Sequence, residues 1–233
     1  MTQATSDPFG TAALDAVSGD FSEELLIHAN KLEGQNIPIN YLTRSFEEMP
    51  IIEQTALKKV RGKTLDVGAG AGSHSLYLQE KGINVFAIDT SLGMTQSMTK
   101  RGIKEVVYGR VEDYRGEMFD TIICLMTGIG MAGNIEGLPS FISSLLSLLK
   151  PGGQILIDGA DIRDLFDEEE LNKEDEYYGE FIYTSEYKGI KSDPFPWLYL
   201  PAETLQDCCA AMGVKCKIVK WGDNNDYLAK IGS

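Results

Sequence analysis

The chain is short of cysteine, of positive charge and of long apolar runs, and each shortage closes off a class of protein. Its four cysteines, Cys124, Cys208, Cys209 and Cys216, show no C-x-x-C spacing. Neither a zinc site nor a disulfide framework is expected, and the adjacent pair is poorly placed for an ordinary disulfide. Reduced, packed thiols and no metal are the reading. Lys and Arg number 21 against 35 Asp and Glu, a net charge of -14 with no basic cluster. Such a surface repels a phosphate backbone, which argues against nucleic acid as a partner. No apolar run nears the ~20 residues of a membrane span. Met1 to Phe21 lacks the basic start and apolar stretch of a signal peptide. No membrane partner and a cytoplasmic location are therefore expected. At 233 residues and 43% hydrophobic content, the chain suits one large domain, or a domain with a small appendage, around a packed core.

What the chain does have is glycine concentrated in one turn. Residues 64–72 read Thr-Leu-Asp-Val-Gly-Ala-Gly-Ala-Gly, a short strand entering a glycine-rich turn, with a helix expected from Ser73 to Lys81. Backbone without Cβ atoms lets a ligand lie against the turn, and the helix start offers unpaired N–H donors. Asp89 closes the run Asn84-Val-Phe-Ala-Ile-Asp89, at about the 20-residue spacing at which an acid accepts hydrogen bonds from a ribose. A nucleoside cofactor is the expected ligand.

The rest alternates. Residues 1–40 read as a loosely held, partly ordered leader, with Phe9, Leu14 and Phe21 as anchors. Residues 41–233 form the main domain. Ser45-Phe-Glu-Glu48 has capping-box spacing and Pro50 suits a first helical turn, so a helical cap is expected over 41–60. Strands at Leu65, 84–88, 105–108, 119–126 and 154–158 alternate with helices at 73–81, 91–101 and 138–150, the last stopped by Pro151-Gly152-Gly153. Alternation at this pitch means a mostly parallel sheet with helices on both faces. The rhythm breaks over 161–200, an acidic then aromatic-rich insertion in which 181–188 and 194–200 read as an antiparallel pair around Gly189. A helix at 202–212 and a hairpin of strands 214–219 and 227–231 end the chain.

The pattern Asp66-x-Gly68-x-Gly70-x-Gly72 resembles the class I S-adenosylmethionine-dependent methyltransferases. So do Val85-Phe-Ala-Ile-Asp-Thr-Ser91, Phe119-Asp-Thr-Ile-Ile-Cys124, Leu148-Leu-Lys-Pro-Gly-Gly-Gln-Ile-Leu-Ile157 and the terminal hairpin. The likeness spans most of 41–231. It implies a Rossmann-like α/β fold with a seven-stranded sheet bearing one antiparallel strand near its end. It also implies S-adenosyl-L-methionine as methyl donor, with S-adenosyl-L-homocysteine as product. In this family's terms Gly68, Ala69 and Gly70 would face the methionine part, Asp89 the ribose, and Thr90 and Met94 the adenine. Arg110, Val111 and Glu112 stand where the family touches the adenine edge, although an acid is common at the position of Arg110. Leu125, Met126 and Thr127 would border the transferred methyl.

Several residues carry two readings. Met94 fits core filling as well as adenine contact. Arg44, with Tyr41 nearby, is either a clamp on the donor carboxylate or an ion pair with Glu47 or Glu48. His74, beside the glycines, is a base or a local hydrogen-bond donor. The insertion reads as a substrate lid from which Tyr178 and Trp197 reach the acceptor, with Met131 and Thr127 from the loop after the fourth strand. That loop reads Leu125-Met-Thr-Gly-Ile-Gly130 and not the Asn/Asp-Pro-Pro-Tyr by which many enzymes that methylate nucleic-acid amino groups accept a base. A small-molecule acceptor is expected, its methylated atom and any general base left open, as is the oligomeric state. A nicotinamide-dependent oxidoreductase and a non-catalytic binding protein are the alternatives.

Overall fold

The computed structural model describes residues 6–171 and 177–232. Residues 1–5 of the expected leader and 172–176 of the expected lid lie outside these. In order along the chain come α1 (Pro8–Ser18), β1 (Glu24–Ala29), β2 (Gln35–Pro38), α2 (Ile51–Lys59), β3 (Thr64–Val67), α3 (Ser73–Glu80) and β4 (Val85–Asp89). Next are α4 (Leu92–Lys100), β5 (Glu105–Tyr108), β6 (Phe119–Cys124), α5 (Leu138–Ser147), β7 (Leu149–Ala160) and α6 (Glu168–Leu171). The chain closes with β8 (Glu180–Tyr187), β9 (Ile190–Lys191), β10 (Phe195–Leu198), α7 (Ala202–Ala211), β11 (Cys216–Trp221) and β12 (Asp226–Gly232).

The main sheet has seven strands in the order β11-β12-β7-β6-β3-β4-β5. The four pairings from β7 to β5 are parallel, and β12 runs antiparallel to both of its neighbours. This is the Rossmann-like methyltransferase arrangement expected. Successive side chains of a strand point to opposite faces, and each face has its own helices. Ile122, Ile155 and Ile157 pack with Phe141, Ile142 and Leu145 of α5 and Leu205 of α7. Ile123 and Leu156 pack with Ile52, Ala56 and Leu57 of α2 and Leu78 of α3. Central strands covered on both sides favour near-continuous apolar runs, as Ile122-Ile123-Cys124 of β6 and Ile155-Leu156-Ile157 of β7 show.

Two stretches differ from the sequence reading. The stop at Pro151-Gly152-Gly153 lies inside β7: α5 ends at Ser147, and Leu149 already pairs with Phe119 before the register shifts to Thr121 and Gln154. The glycines here serve an irregular strand start, not a helix end.

The leader is the larger departure. Asp7 caps α1 through the Gly10 N–H (2.8 Å), Pro8 begins the helix and Gly19 ends it. β1 and β2 join β8 and β10 in a second, antiparallel sheet of order β10-β8-β1-β2, with β9 on β8. Ala12, Ala16, Leu25, Ile39 and Tyr187 form the core between α1 and this sheet. The expected pair within 181–200 is present, Phe195 opposite Tyr183, but it is half of a larger sheet whose other half comes from the N-terminal 40 residues. Between the two sheets, residues 41–60 are two short 3₁₀ turns (Ile39–Thr43 and Phe46–Glu48) followed by α2.

Candidate active site

The glycine turn leaves β3 at the carboxyl edge of the main sheet. Gly68 and Gly70 sit at φ +67° and +59°, a left-handed backbone that L side chains rarely adopt. The N–H groups of Gly68 and Ala69 both donate to the Ile88 carbonyl (3.0 and 3.1 Å), fixing the turn to β4. A Cβ on Gly70 would meet only open space, while one on Gly68 would press on Met131 Sδ at 2.8 Å. These two face a crevice of about 1680 Å³. Gly72 and Asp66 do not. A Cβ at Gly72 would strike Ile103 and Met98, so this glycine serves helix packing. Asp66 is buried beneath the turn and accepts from Ser75 Oγ at 2.7 Å, so it supports the site from outside the crevice.

Asp89 closes the turn's other side. Its Oδ2 accepts the Gly70 N–H and its Oδ1 the Ser91 N–H, both at 2.8 Å. Burial raises its pKa to about 6, against the opposing pull of these two N–H groups. Thr90, Met94, Arg110, Val111 and Glu112 line the crevice beyond it. Met94 packs with Ala13 and Ala71, as core filling, and also borders the crevice. Arg110 is largely exposed and turned to Glu112 at 3.4 Å. Asp7 was not foreseen here: its Oδ2 accepts from Ser91 Oγ (2.7 Å) and the Gly93 N–H (3.1 Å), so one carboxylate ties α1 to the start of α4. Phe9, Thr11 and Leu14 of α1 thereby form part of the crevice wall.

Arg44 matches neither of its expected partners, Glu47 or Glu48. Glu48 instead accepts the Ser45 N–H at 2.7 Å, completing the capping box. The Arg44 side chain is 3% exposed, and its Nη2 donates to Glu53 Oε2 at 2.5 Å. Its Nη1 donates to the Tyr41 carbonyl at 2.9 Å, and its guanidinium lies 4.1 Å from the Tyr41 ring centroid. His74 Nε2 stands 2.5 Å from the same Glu53 oxygen. Burial acts to raise the Glu53 carboxyl, but His74 and Arg44 outweigh it and hold the group below the ordinary range. Arg44 Nε is buried without a hydrogen-bond partner, a costly state for a charged donor. All four residues, Tyr41, Arg44, Glu53 and His74, border the crevice.

After β6 the backbone is strained. Met126 and Thr127 have φ +67° and +57°, a region that disfavours side chains other than glycine. Asp158, at the carboxyl end of β7, holds this bend by accepting the Thr127 N–H (3.0 Å) and the Gly128 N–H (2.7 Å). Burial raises its pKa to about 6 as well. Leu125, Met126, Thr127 and Asp158 all line the crevice. The following 3₁₀ turn, Gly128–Ala132, reaches across to the second sheet: any Cβ on Gly130 would fall inside the Trp197 indole, while Met131 covers Gly68. Trp197 and Met131 line the crevice, joined by Tyr183, Phe195 and Tyr199 of the second sheet. Tyr178 does not. It lies in the turn before β8 and packs on Tyr177 and Phe166, ring centroids 4.6 and 5.9 Å away.

Sequence reasoning therefore missed Asp7, Glu53 and Asp158. Asp158 carried a signal for the site, as an acid ending a strand at the same sheet edge as Asp89, and Asp7 one only for a helix start. Among the described residues no cluster of three or more His, Cys, Asp or Glu is arranged to hold a metal ion, and no helix is long and apolar enough to cross a membrane.

A family model described as a methyltransferase domain matches residues 65–157, from β3 to the end of the apolar run of β7. Among curated proteins, phosphoethanolamine N-methyltransferase 1 of Zea mays is 38% identical over 103 residues, 41% of this chain and 20% of that protein. Glycine/sarcosine N-methyltransferase of Aphanothece halophytica is 27% identical over 148 residues, 60% of this chain and 56% of that protein. The chain thus spans a fifth to about half the length of these curated relatives. A solved structure titled as an SAM-dependent methyltransferase from Bacteroides fragilis in complex with S-adenosyl-L-homocysteine matches over nearly everything. It shares 39% identity at a TM-score of 0.90, with 97% of this chain and 94% of that one covered. That match takes in the N-terminal helix and second sheet as well as the glycine turn and Asp89, and the chain belongs to the S-adenosylmethionine-dependent methyltransferases.

Proposed function

We propose that this protein transfers a methyl group from S-adenosyl-L-methionine to a small molecule bound between its two sheets. The observation that carries the reading is the pairing, in one crevice, of the bare Gly68–Gly70 backbone anchored to Asp89 with the orphaned Nε of buried Arg44. The residues fit the donor. Gly68, Ala69 and Gly70 leave room for its methionine chain, and Arg44 Nε, beside Tyr41, is a donor waiting for a carboxylate. Asp89 has lone pairs left for ribose hydroxyls after accepting two backbone N–H groups. Thr90, Met94 and Val111 offer an apolar slot for adenine, with Arg110 and Glu112 at its edge. Asp66 and Gly72 support the turn without contact.

When bound, the donor supplies a methyl group on a sulfonium, which a nucleophile displaces in line as the electron pair returns to sulfur. The chain's own work is alignment and exclusion of water. Leu125, Met126 and Thr127, held by Asp158, make one wall of the transfer region; Met131 and Trp197 make the other. The acceptor comes from the side of the second sheet. A small molecule suits a crevice rimmed by Tyr183, Phe195 and Tyr199, and the curated relatives named above carry small-molecule substrates in their names. We take the cytoplasm as the compartment, in keeping with four free thiols.

Calorimetry with S-adenosylmethionine, S-adenosylhomocysteine and NAD tests the donor site. Binding of the first two without the third is expected, and NAD binding alone would support the oxidoreductase alternative. Transfer of labelled methyl groups onto a small-molecule extract then tests catalysis, since a binding-only protein holds the donor without turnover.

A further inference from the structure

Resting on the reading of this crevice as a methyl-transfer site, we infer that its acceptor is a protonated amine, held by Asp158 against the aromatic wall of the second sheet. Two observations meet here. The first is an unbalanced charge. Arg44 and Arg110 are the cations on the crevice wall among the described residues, and each already faces a glutamate, Glu53 at 2.5 Å and Glu112 at 3.4 Å. Asp158 has no such partner among the described residues, where its oxygens take the backbone N–H groups of Thr127 and Gly128. A carboxylate has about four acceptor positions, so roughly half of this one's capacity is left for a ligand. The titratable groups whose charge acts on it or feels it among the described residues are Tyr41, Glu53, His74, Cys124 and Tyr227, and of these His74 alone can carry positive charge, with its Nε2 committed to Glu53.

The second observation is the wall opposite. Trp197 is locked against Gly130, and Tyr183 and Tyr199 hydroxyls bond to each other at 3.1 Å, so the rings are fixed and their polar tips satisfied. Asp158 holds Gly128 and Trp197 packs on Gly130, two residues further along the same turn, and an aromatic face and a buried carboxylate in one crevice attract an ammonium by cation–π and charge-assisted hydrogen bonding. A phosphate or carboxylate acceptor would find no free cation here and would be repelled. A neutral alcohol or thiol would gain little from the charge. The same carboxylate can take the proton that an ammonium must lose before its nitrogen has an electron pair to donate; burial, by raising Asp158 to about 6, brings it closer to that task.

Three probes of one shape read the preference: benzylamine, benzyl alcohol and benzoate, titrated calorimetrically into protein saturated with S-adenosylhomocysteine at pH 7.5. Benzylamine is expected to bind about tenfold or more tighter than benzyl alcohol, with benzoate weakest. Asp158→Asn is expected to bring benzylamine down to the level of the alcohol. Should that variant fail to fold, the wild-type preference still reads the claim, since it must shrink as the pH falls from 7.5 to 5. Equal binding of amine and alcohol, tighter benzoate, undetectable benzylamine, or a preference that survives Asp158→Asn overturns the inference while leaving the donor site standing. Failure of S-adenosylhomocysteine to bind overturns the donor reading itself, and the inference with it.

Discussion

Asp89 and Gly70 are joined side chain to backbone at 2.8 Å, so the acid that ends β4 also holds open the turn that ends β3. Two features separated by 19 residues thereby act as one rigid cradle. Removing the carboxylate should cost the ligand its own hydrogen bonds and release the turn as well. Hydrogen bonds to a charged group contribute about 1.5 to 3 kcal/mol each. Asp89→Ala should therefore weaken S-adenosylhomocysteine binding about ten- to hundredfold or more by calorimetry. Unchanged affinity would reject the assignment.

Arg44 tests the carboxylate end. Lysine keeps the charge but has neither the fork that engages Tyr41 and Glu53 nor the Nε. Arg44→Lys should lower donor affinity about tenfold, with a smaller effect on a donor analogue lacking the carboxylate. Glu53→Ala should be worse for the fold, because it leaves a buried guanidinium unpaired, at roughly 3 to 5 kcal/mol. Equal losses for the donor and its decarboxylated analogue would show that Arg44 acts on the fold alone.

The pH dependence has two signs. Asp89 and Asp158 titrate near 6 in the folded chain against about 3.9 when unfolded. Over that window the folded state holds protons that the unfolded state has lost. Their contribution to stability is full below about pH 4 and is lost as the pH rises through 6. Donor binding runs the other way, because ribose hydroxyls need the Asp89 carboxylate as acceptor. Affinity should decline below about pH 6, approaching tenfold per pH unit, and should lose that dependence in Asp89→Asn. A flat profile from pH 5 to 8 in the wild type would contradict the assignment.

While its neighbour Met131 covers Gly68, Gly130 packs on Trp197, in the wall proposed to take the acceptor. A methyl group there meets the Trp197 indole, and overpacking of this kind costs about 1 to 3 kcal/mol. Gly130→Ala should displace Trp197 and raise the acceptor KM severalfold, while donor affinity, set by Gly68–Gly70 and Asp89, stays within about twofold. A change in donor affinity as large as that in KM would mean that the two walls are not independent.

Most of the main sheet was legible because its signals are local. Gly82 and Gly102 follow helices, the strands are short apolar runs, and the spacing from Gly70 to Asp89 is a property of one βαβ unit. The second sheet was not legible in the same way, since β1 pairs with residues 183–186 of β8 and no local pattern announces a partner so far along the chain. The start of α1 did carry a signal, Asp7-Pro8 with Gly19 at the other end, which the polar composition of residues 1–20 masked. The Arg44–Glu53–His74 cluster brings together a turn and two helices, so no spacing rule reports it. Tyr183 lines the crevice and Tyr178 does not: Tyr183 stands within β8, opposite Phe195 of β10, whereas Tyr178 lies in the turn before that strand.

The crevice at the carboxyl edge of the main sheet is the proposed seat of a sulfonium nucleoside. A crystal structure grown with S-adenosylhomocysteine tests it most directly. The ribose hydroxyls should lie within hydrogen-bond distance of Asp89 and the amino-acid carboxylate against Arg44 Nε. A crevice left empty at saturating ligand, or a ribose bound away from Asp89, would contradict it.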